Sequence, residues 1–420
     1  MQTVAPTTPE DMLALAQELD LRADEAGAGL WVRRAADASL PAARVQLGLW
    51  LHTGRNMPRD RQAGFDLIEK AARDGDLTAG HLLINIYAER QEWPRATSWL
   101  IRLAKAGDAE AYIALGALIR PLPRLTALRR TLYAHAAHAG LTAAQYMLGA
   151  DMATDADLTT QKKGIGWIAL AADRGSNLAQ LRLEHFRGQS MIRPAVAPDT
   201  ARIPWTDMKR FLILPHETNI PAASPLLASP RVDVTPAFLP PHICDYMILR
   251  GTRFIAPATV HDARAGEVVD ESRSNSFANF RLLESDIVTF SVDCRILKAL
   301  GHPIGHGDPL SLLQYEKGQT YAPHYDFFDS TFPAHRPHLE TGGQRLQTAL
   351  IYLNDEYGEG CTRFHKAKTS FRGKPGDLVA FANIDDTGKP DPMSLHSGEP
   401  PTHGTKWILS KWTREAHLPL

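Results

Sequence analysis

The chain has few cysteines and they are scattered. Its 420 residues include three, Cys244, Cys294 and Cys361. None has the spacing of a zinc site, and an odd number of well-separated cysteines indicates free thiols in a reducing compartment rather than a disulfide framework. The expected location is therefore cytoplasmic.

Membrane and nucleic-acid signals are also missing. No apolar run approaches the roughly 18 residues needed to span a membrane. The amino terminus lacks the basic and apolar regions of a secretory signal. With a formal net charge of −1, the chain has no basic excess for nucleic acid. Its length predicts two or three domains.

The carboxyl-terminal half contains a set of metal-ligand residue types. His324 and Asp326 are separated by one residue, so in an extended strand they point to the same face while Tyr325 points away. With the distant His396 they provide two imidazoles and one carboxylate. This set leaves coordination positions open and is typical of non-haem Fe(II) oxygenases.

Five sequence blocks, in order, surround these residues. They are 315–328 (YEKGQTYAPHYDFF), 342–354 (GGQRLQTALIYLN), 358–364 (GEGCTRF), 374–381 (KPGDLVAF) and 394–415 (SLHSGEPPTHGTKWILSKWTRE). Together they resemble the catalytic domain of prolyl 4-hydroxylases, which use Fe(II) and 2-oxoglutarate. The resemblance extends from about Pro230 to His417 and implies a double-stranded β-helix, or jelly roll, with flanking helices.

The resemblance also implies residue roles. Iron ligands are His324, Asp326 and His396; 2-oxoglutarate contacts are Tyr315, Thr362 and Lys406; Trp412 borders the iron pocket. O2 is the second substrate, and ascorbate is the expected reductant. His403 is an alternative distal ligand, but the sequence around His396 and its spacing to Lys406 favour His396.

A candidate substrate loop lies between Asp262 and Ser276. Its last four residues, Arg273, Ser274, Asn275 and Ser276, resemble an Arg-Thr-Ser element of the family imperfectly. Arg345, in the second block, is expected to be structural or to anchor a loop. Cys361 replaces the glutamate that the family has before Thr362.

The amino-terminal half contains a repeated motif of the form Ala-Ala-x-x-Gly-x-x-x-Ala. Its turn position is occupied by Ser39, Gly75, Gly107, Gly140 and Gly175, which are 36, 32, 33 and 35 residues apart. This pattern predicts a helix that ends at a glycine, followed by a second helix whose small residues pack closely. It resembles Sel1-like repeats, relatives of tetratricopeptide repeats, and implies an α-solenoid of stacked helix pairs.

The predicted organisation is therefore multidomain α + β. Residues 1–187 are expected to form the solenoid, 188–229 a proline-rich connection and 230–420 the oxygenase domain. A chain that begins near Ala223 is expected to fold without the repeats.

The predicted activity is hydroxylation of a protein or peptide, on proline, with the solenoid recruiting the substrate or a partner. One alternative is a hydroxylase of a free amino acid or other small molecule. Another is a non-catalytic interaction scaffold, and the solenoid itself could be a structural or dimerising appendage. The sequence does not predict the oligomeric state.

Overall fold

The computed structural model describes residues 7–119, 121–194, 202–258, 260–262, 266–268 and 272–418. The chain divides into two compact units, of which the first ends at Asp108 and the second begins at Ala109. We refer to them as unit 1 and unit 2. Helical repeats occur in both units. The domain boundaries expected near residues 187 and 229 stay a prediction.

Unit 1 is built from helices that each pack against the next one along the chain. Within its described residues they are α1 (Pro9–Leu21), α2 (Glu25–Asp37), α3 (Pro41–Thr53), α4 (Arg61–Arg73), α5 (Leu77–Glu89) and α6 (Trp93–Lys105). Aspartates start several of them. The carboxylates of Asp60 and Asp76 accept hydrogen bonds from the backbone N–H groups of Ala63 and Ala79, at 3.0 and 2.8 Å. These N-caps satisfy donors that a helix leaves free.

The predicted turn positions all adopt left-handed backbone conformations. Their φ angles are +70° at Ser39, +100° at Gly75, +90° at Gly107, +94° at Gly140 and +88° at Gly175. Glycine adopts this region without the steric penalty that a Cβ atom brings. The repeat therefore ends its first helix as the sequence predicts.

Close helix contacts explain the small residues after each turn. A Cβ atom on Gly64 of α4 would lie 2.5 Å from the carbonyl oxygen of Gly48 on α3. The corresponding distance from Gly164 to the carbonyl oxygen of Gly149, in unit 2, is 2.7 Å. Any side chain at these positions would push the paired helices apart.

Unit 2 begins with further repeat helices and continues into the oxygenase region. Its described helices are α7 (Ala109–Leu118), α8 (Thr126–His138), α9 (Thr142–Ala153), α10 (Leu158–Asp173), α11 (Asn177–Leu183), α12 (Met208–Phe211), α13 (Pro241–Gly251), α14 (Ile287–Leu300) and α15 (Arg336–Gly342). Within the part of the chain that the structure describes, no helix is long and apolar enough to cross a membrane.

The proline-rich connection packs against the repeat helices of unit 2. Leu212 and Leu214 are buried. Ile119 pairs with Leu212 as an isolated β-bridge, and the N–H of Ile213 donates to the carbonyl of Leu118 at 2.8 Å. This segment is therefore part of the folded unit.

The strands are all paired antiparallel. They are β1 (Ser224–Ala228), β2 (Arg231–Thr235), β3 (Ala256–Pro257), β4 (Val260–Asp262), β5 (Gly266–Val268), β6 (Ser276–Phe280), β7 (Leu310–Tyr315), β8 (Tyr321–His324), β9 (Arg345–Tyr352), β10 (Tyr357–Glu359), β11 (Thr362–Phe364), β12 (Thr369–Phe371), β13 (Leu378–Ala382), β14 (His396–Gly398), β15 (Pro401–Gly404) and β16 (Lys406–Arg414). The main sheet has the order β1-β2-β13-β9-β16-β7-β6-β3, and a smaller sheet has the order β12-β11-β14-β8.

Side chains from the main and smaller sheets form one core. It includes Tyr352, Phe381 and Ile408 of the main sheet and Phe364 of the smaller one, each at most 2% exposed. This arrangement is the predicted jelly roll. Trp407, the neighbour of Ile408 on β16, is also fully buried.

Helix α13 lies between the main sheet and the repeat helices of unit 2. It contacts β6 and β7 as well as α7, α9 and α11. Ile243, Met247 and Leu249 are buried in it. Because α7–α11 and the sheet belong to one compact unit, the structure does not support the expectation that a chain beginning near Ala223 folds alone.

Candidate metal centre and cosubstrate pocket

Two strands of the smaller sheet bring the predicted metal ligands together. His324 at the end of β8 is the register partner of His396 at the start of β14. Asp326 follows β8, and its two carboxylate oxygens lie 3.5 Å from His324 Nε2 and 3.4 Å from His396 Nε2. Tyr325 points away and is 38% exposed. Among the described residues, this triad is the group of His, Cys, Asp and Glu side chains close enough to share one metal ion.

Backbone carbonyls orient both imidazoles. The Nδ1 atom of His324 lies 2.8 Å from the carbonyl oxygen of Ala322, and that of His396 lies 2.9 Å from the carbonyl oxygen of Ser394. Because a carbonyl oxygen only accepts, each Nδ1 must carry the proton. The Nε2 lone pairs then face Asp326, which is the tautomer that a metal ligand requires.

The Asp326 carboxylate is fixed by a chain of hydrogen bonds. Its Oδ2 accepts from Thr348 Oγ1 at 2.7 Å, and Thr348 Oγ1 accepts from Asn383 Nδ2 at 2.9 Å. Burial opposes ionisation, but His396 and His324 hold the pKa of Asp326 well below its usual range. Burial lowers the pKa of His396 to about 4. One carboxylate and a neutral imidazole at pH 7 suit a divalent cation.

Lys406 is a buried cation at the other end of the same pocket. It begins β16 opposite Tyr315 and is 1% exposed. Its Nζ lies 4.8 Å from the ring centre of Tyr315 and 5.8 Å from that of Tyr352. In the described parts of the chain Lys406 forms no ion pair, whereas Lys411 on the same strand pairs with Asp293. Burial lowers the pKa of Lys406 to about 7, so an anion entering the pocket would stabilise its charged form.

A single cavity connects Lys406 with the triad. Its lining residues are Leu313, Tyr315, Tyr321, His324, Asp326, Leu350, Thr362, His396, Ser397, Gly398, Lys406, Ile408, Ser410 and Trp412. Lys406 and Trp412 therefore lie on one face of β16, as their spacing predicts. Two buried polar atoms in this lining, Ser410 Oγ and Trp412 Nε1, have no hydrogen-bond partner among the described residues. The lining therefore places an amine that can pair with an anion and a candidate metal triad in the same cavity.

The structure distinguishes between the other predicted cosubstrate contacts. Tyr315 is 3% exposed and lines the cavity. The hydroxyl of Thr362 is 2.8 Å from that of Tyr352, which donates to the carbonyl of Phe371 at 2.9 Å. Since that bond uses the one proton of Tyr352, Thr362 is the donor of the pair. Thr362 therefore lines the pocket, but its hydroxyl proton is donated to Tyr352.

Arg345 has the contacts of a structural residue. Its Nε donates to Asp308 at 2.7 Å and its Nη1 donates to the carbonyl of Asp326 at 3.3 Å. The guanidinium also lies 4.2 Å from the ring centre of Trp412 and 4.7 Å from that of Phe328. It therefore supports the backbone of a metal ligand from outside the pocket.

The candidate substrate loop lies partly outside the described residues. Arg273 forms a β-bridge with Tyr321, and its guanidinium lies 4.8 Å from the Tyr321 ring centre. That ring stacks on His324 with centres 3.5 Å apart. Ser274 exchanges hydrogen bonds with Thr320, and Ser276 begins β6. Asn275 is 1% exposed, whereas Arg273, Ser274 and Ser276 are half-buried.

The alternative ligand His403 lies elsewhere. It belongs to β15 and is exposed, and a Cβ atom on Gly358 would lie 2.5 Å from its Nδ1. His403 is not part of the triad. The structure therefore brings His396, rather than His403, to His324 and Asp326.

Four further residues support the site although the sequence analysis assigned them no role. Tyr321 stacks on His324 and Thr348 donates to Asp326. Asn383 donates to Thr348, and Tyr352 accepts from Thr362. Thr348 and Tyr352 are four residues apart in β9, so their side chains lie on the same face of the strand. This spacing is the sequence signal from which both could have been identified. Asn383 follows β13 with nothing to distinguish it from other asparagines.

Comparison with known proteins agrees with this geometry. Residues 310–414 match the family described as the 2OG-Fe(II) oxygenase superfamily. A probable prolyl 4-hydroxylase 3 of Arabidopsis thaliana is 32% identical over 202 residues, which cover 44% of this chain and 69% of the relative.

Two solved structures also show similarity to parts of the chain. A viral collagen prolyl hydroxylase from Paramecium Bursaria Chlorella virus-1, in its 2OG complex, has 23% identity and a TM-score of 0.33, covering 44% of this chain and 95% of that one. A Sel1 repeat protein from Oxalobacter formigenes has 24% identity and a TM-score of 0.36, covering 50% and 88%. By its sequence match to the relative from Arabidopsis, this chain belongs to the prolyl 4-hydroxylase family of 2-oxoglutarate- and Fe(II)-dependent oxygenases.

Proposed function

We propose that this enzyme hydroxylates prolyl residues in a peptide or protein, with Fe(II), 2-oxoglutarate and O2. The observation that carries the proposal is one cavity with the His324, Asp326 and His396 triad at one end and the unpaired ammonium of Lys406 at the other. The prolyl 4-hydroxylase relatives supply the substrate class.

The residues present divide the work of binding. His324 and His396 would hold iron through Nε2, and Asp326 through its carboxylate, while Thr348 keeps that carboxylate in place. Iron bound there would supply the oxidative decarboxylation of 2-oxoglutarate to succinate and CO2, coupled to insertion of the second oxygen atom of O2 into a C–H bond. The protein contributes orientation and exclusion of water.

Lys406 would hold the distal carboxylate of 2-oxoglutarate. A charge-assisted contact of this kind contributes roughly 1.5–3 kcal/mol. The pairing would also raise the pKa of Lys406 from its ligand-free value of about 7. Tyr315 lines the same end of the cavity and offers a hydroxyl, whereas Thr362 offers mainly an acceptor. Trp412 lines the same cavity.

The substrate side of the proposal rests on the rim of the cavity. Tyr325 is exposed beside the metal ligands and stacks on Phe327 with ring centres 4.7 Å apart. Arg273 and Ser274 are half-buried, and Arg273 forms a β-bridge with Tyr321 at the start of β8. We assign ascorbate as the reductant and the cytoplasm as the location on the sequence argument alone. Recruitment of a protein substrate by the repeats is a further proposal.

Turnover assays test the activity directly. The purified chain with Fe(II) and ascorbate should convert 2-oxoglutarate to succinate, faster when a proline-containing peptide is added. Mass spectrometry should find one added oxygen atom on that peptide's proline. Coupling to free amino acids with none to any peptide or protein would instead support the small-molecule alternative.

The natural substrate requires a comparison in cells. Host proteins from a wild-type strain and a His324→Ala strain should differ in hydroxyproline at specific sites. Identical hydroxyproline profiles in the two strains would contradict a role in modifying host proteins.

A further inference from the structure

A buried ionic cluster joins the last repeat helix to the oxygenase region. Arg182 of α11 pairs with Glu356, in the loop between β9 and β10, through Nη1. Its Nη2 lies 3.2 Å from Asp245 Oδ1 of α13, and its Nε donates to the hydroxyl of Tyr146 on α9 at 3.1 Å. Tyr146 in turn donates to Asp245 Oδ2 at 3.0 Å. We call these four residues the Arg182 cluster.

Tyr146 and Asp245 of the Arg182 cluster are buried, and Arg182 and Glu356 are half-buried. The side chains of Arg182, Asp245 and Glu356 are 22%, 12% and 8% exposed. Tyr146 is 1% exposed. Charge pairs at this depth are screened far less than surface pairs, and removing one partner leaves the other as a costly unpaired charge. The cluster therefore holds its four elements in one fixed arrangement.

The Glu356 loop continues directly to the backbone around Lys406. The side chain of Asn354 donates from Nδ2 to the carbonyl of Thr405 at 2.8 Å, and its Oδ1 accepts from the N–H of Trp407 at 2.9 Å. These bonds hold the residues on either side of Lys406. Fixing Asn354 therefore fixes the direction in which the lysine leaves the strand.

The contact between these segments leaves little room for movement. A Cβ atom on Gly404, two residues before Lys406, would lie 2.1 Å from the carbonyl oxygen of Glu356. On the other side, a Cβ atom on Gly360 would lie 3.4 Å from Lys406 Cδ. A shift of the Glu356 loop would therefore be transmitted to Lys406.

We propose that Arg182 is a positioning residue for the cosubstrate, through which the last repeat of unit 2 sets the affinity for 2-oxoglutarate. The proposal rests on the proposed role of Lys406. Arg182 does not line the cosubstrate cavity, so its effect passes through Glu356 and Asn354. The guanidinium is suited to this role because its rigid fork contacts three partners at once, which an ammonium cannot do in the same geometry.

Binding measurements separate positioning from a general loss of structure. Isothermal titration calorimetry of 2-oxoglutarate into the full chain loaded with Mn(II), which prevents turnover, gives the dissociation constant. Arg182→Ala should raise that constant about two- to thirtyfold, the range found for residues that couple distant sites. The affinity for Mn(II), titrated alone, should stay unchanged because the triad is not connected to this loop. Glu356→Gln should shift the 2-oxoglutarate constant in the same direction, and the double variant should shift it no further than Arg182→Ala alone.

Two further variants calibrate the experiment. Arg187→Ala is the matched control, since Arg187 is 80% exposed and pairs only across one turn with Glu184; it should change nothing. Lys406→Ala should weaken 2-oxoglutarate binding more than any other variant. If Lys406→Ala weakens binding and Arg182→Ala does not, the positioning role is overturned while the proposed site stands.

Two other results of the binding experiment also test the positioning role of Arg182. If neither Lys406→Ala nor Arg182→Ala changes the constant, the assigned cosubstrate site is wrong and the positioning role falls with it. If Arg182→Ala does not fold, Glu356→Gln, which keeps the size of the side chain, becomes the deciding variant. An unchanged constant in Glu356→Gln would then overturn the proposal.

Discussion

The repeats before Asp108 and those after Ala109 share a sequence motif but have different neighbours. In unit 1, each helix packs on the helices next to it in sequence. In unit 2, α7, α9 and α11 also pack on α13, which in turn contacts the main sheet. The same local pattern thus builds helices of a separate compact unit in one region and part of an enzyme's core in the other.

Two tyrosines illustrate this difference. Tyr87 on α5 and Tyr146 on α9 are both buried. Tyr87 donates to Glu69, on the preceding helix of the same array, at 3.2 Å. Tyr146 bonds Arg182 of its own array and Asp245 of the oxygenase region. A repeat motif therefore specifies helix pairs, but not the partner that covers their outer surface.

Truncation of the chain should have the largest effect and tests the comparison between the two sets of repeats. A chain beginning at Ala109 should fold and bind Fe(II), whereas one beginning at Ala223 should be insoluble or lack a cooperative unfolding transition. The physical reason is that the shorter chain exposes the buried face of α13 and leaves Asp245 without Arg182 and Tyr146. Solubility, circular dichroism and metal titration check it. A well-folded chain beginning at Ala223 would show that the two sets of repeats are equivalent after all.

Substitutions of the proposed metal ligands should have the second-largest effect. Alanine at His324, Asp326 or His396 should reduce 2-oxoglutarate turnover by more than about 100-fold, since even residues that only support ligands cost about 10- to 100-fold. Unfolding should remain cooperative. His403→Ala is the matched control and should keep full turnover, because His403 is exposed on β15. Activity that survives His396→Ala and is lost in His403→Ala would reverse the ligand assignment.

Lys406→Ala should raise the KM for 2-oxoglutarate about tenfold or more, because a charge-assisted contact of roughly 1.5–3 kcal/mol is lost. Steady-state turnover at varied 2-oxoglutarate concentration measures this KM.

Lys406 also predicts a pH dependence of 2-oxoglutarate binding. With a ligand-free pKa of about 7, Lys406 is charged below pH 7 and loses its proton above it. The 2-oxoglutarate affinity of the Mn(II)-loaded protein should therefore fall by up to about tenfold per pH unit above pH 7. Calorimetric titrations from pH 6 to pH 9 measure this, and the fall should be absent in Lys406→Ala.

The smallest effect sharpens the comparison between the two sets of repeats. Tyr146→Phe should lower the free energy of unfolding by about 1–3 kcal/mol, because Arg182 Nε and Asp245 Oδ2 each lose their hydrogen bond to the Tyr146 hydroxyl. Tyr87→Phe removes one hydrogen bond and should lower it by about 0.5–1.5 kcal/mol. Denaturant unfolding of both variants gives the values. Equal losses would mean that the contact with the oxygenase region adds nothing at this position.

Local sequence patterns predict where the repeat helices end and which residues of a strand share a face. The turn glycines mark where the repeat helices end, because a left-handed residue is recognisable from its type. The one-residue spacing of His324 and Asp326, and the same-face spacing of Lys406 and Trp412, follow from the two-residue period of a strand. These features involve neighbours in the chain, so the sequence by itself predicts them.

The tertiary structure alone decided which segments meet. The hydrogen bonds from Asn383 to Thr348 and on to Asp326 cross between strands, and the Arg182 cluster joins four elements that are far apart in sequence. The division of the repeats into two units at Asp108 also depends on which segments pack together. Threonine, asparagine and arginine occur throughout the chain without a distinguishing local pattern. Their partners are set by how helices and sheets pack, which depends on the whole fold.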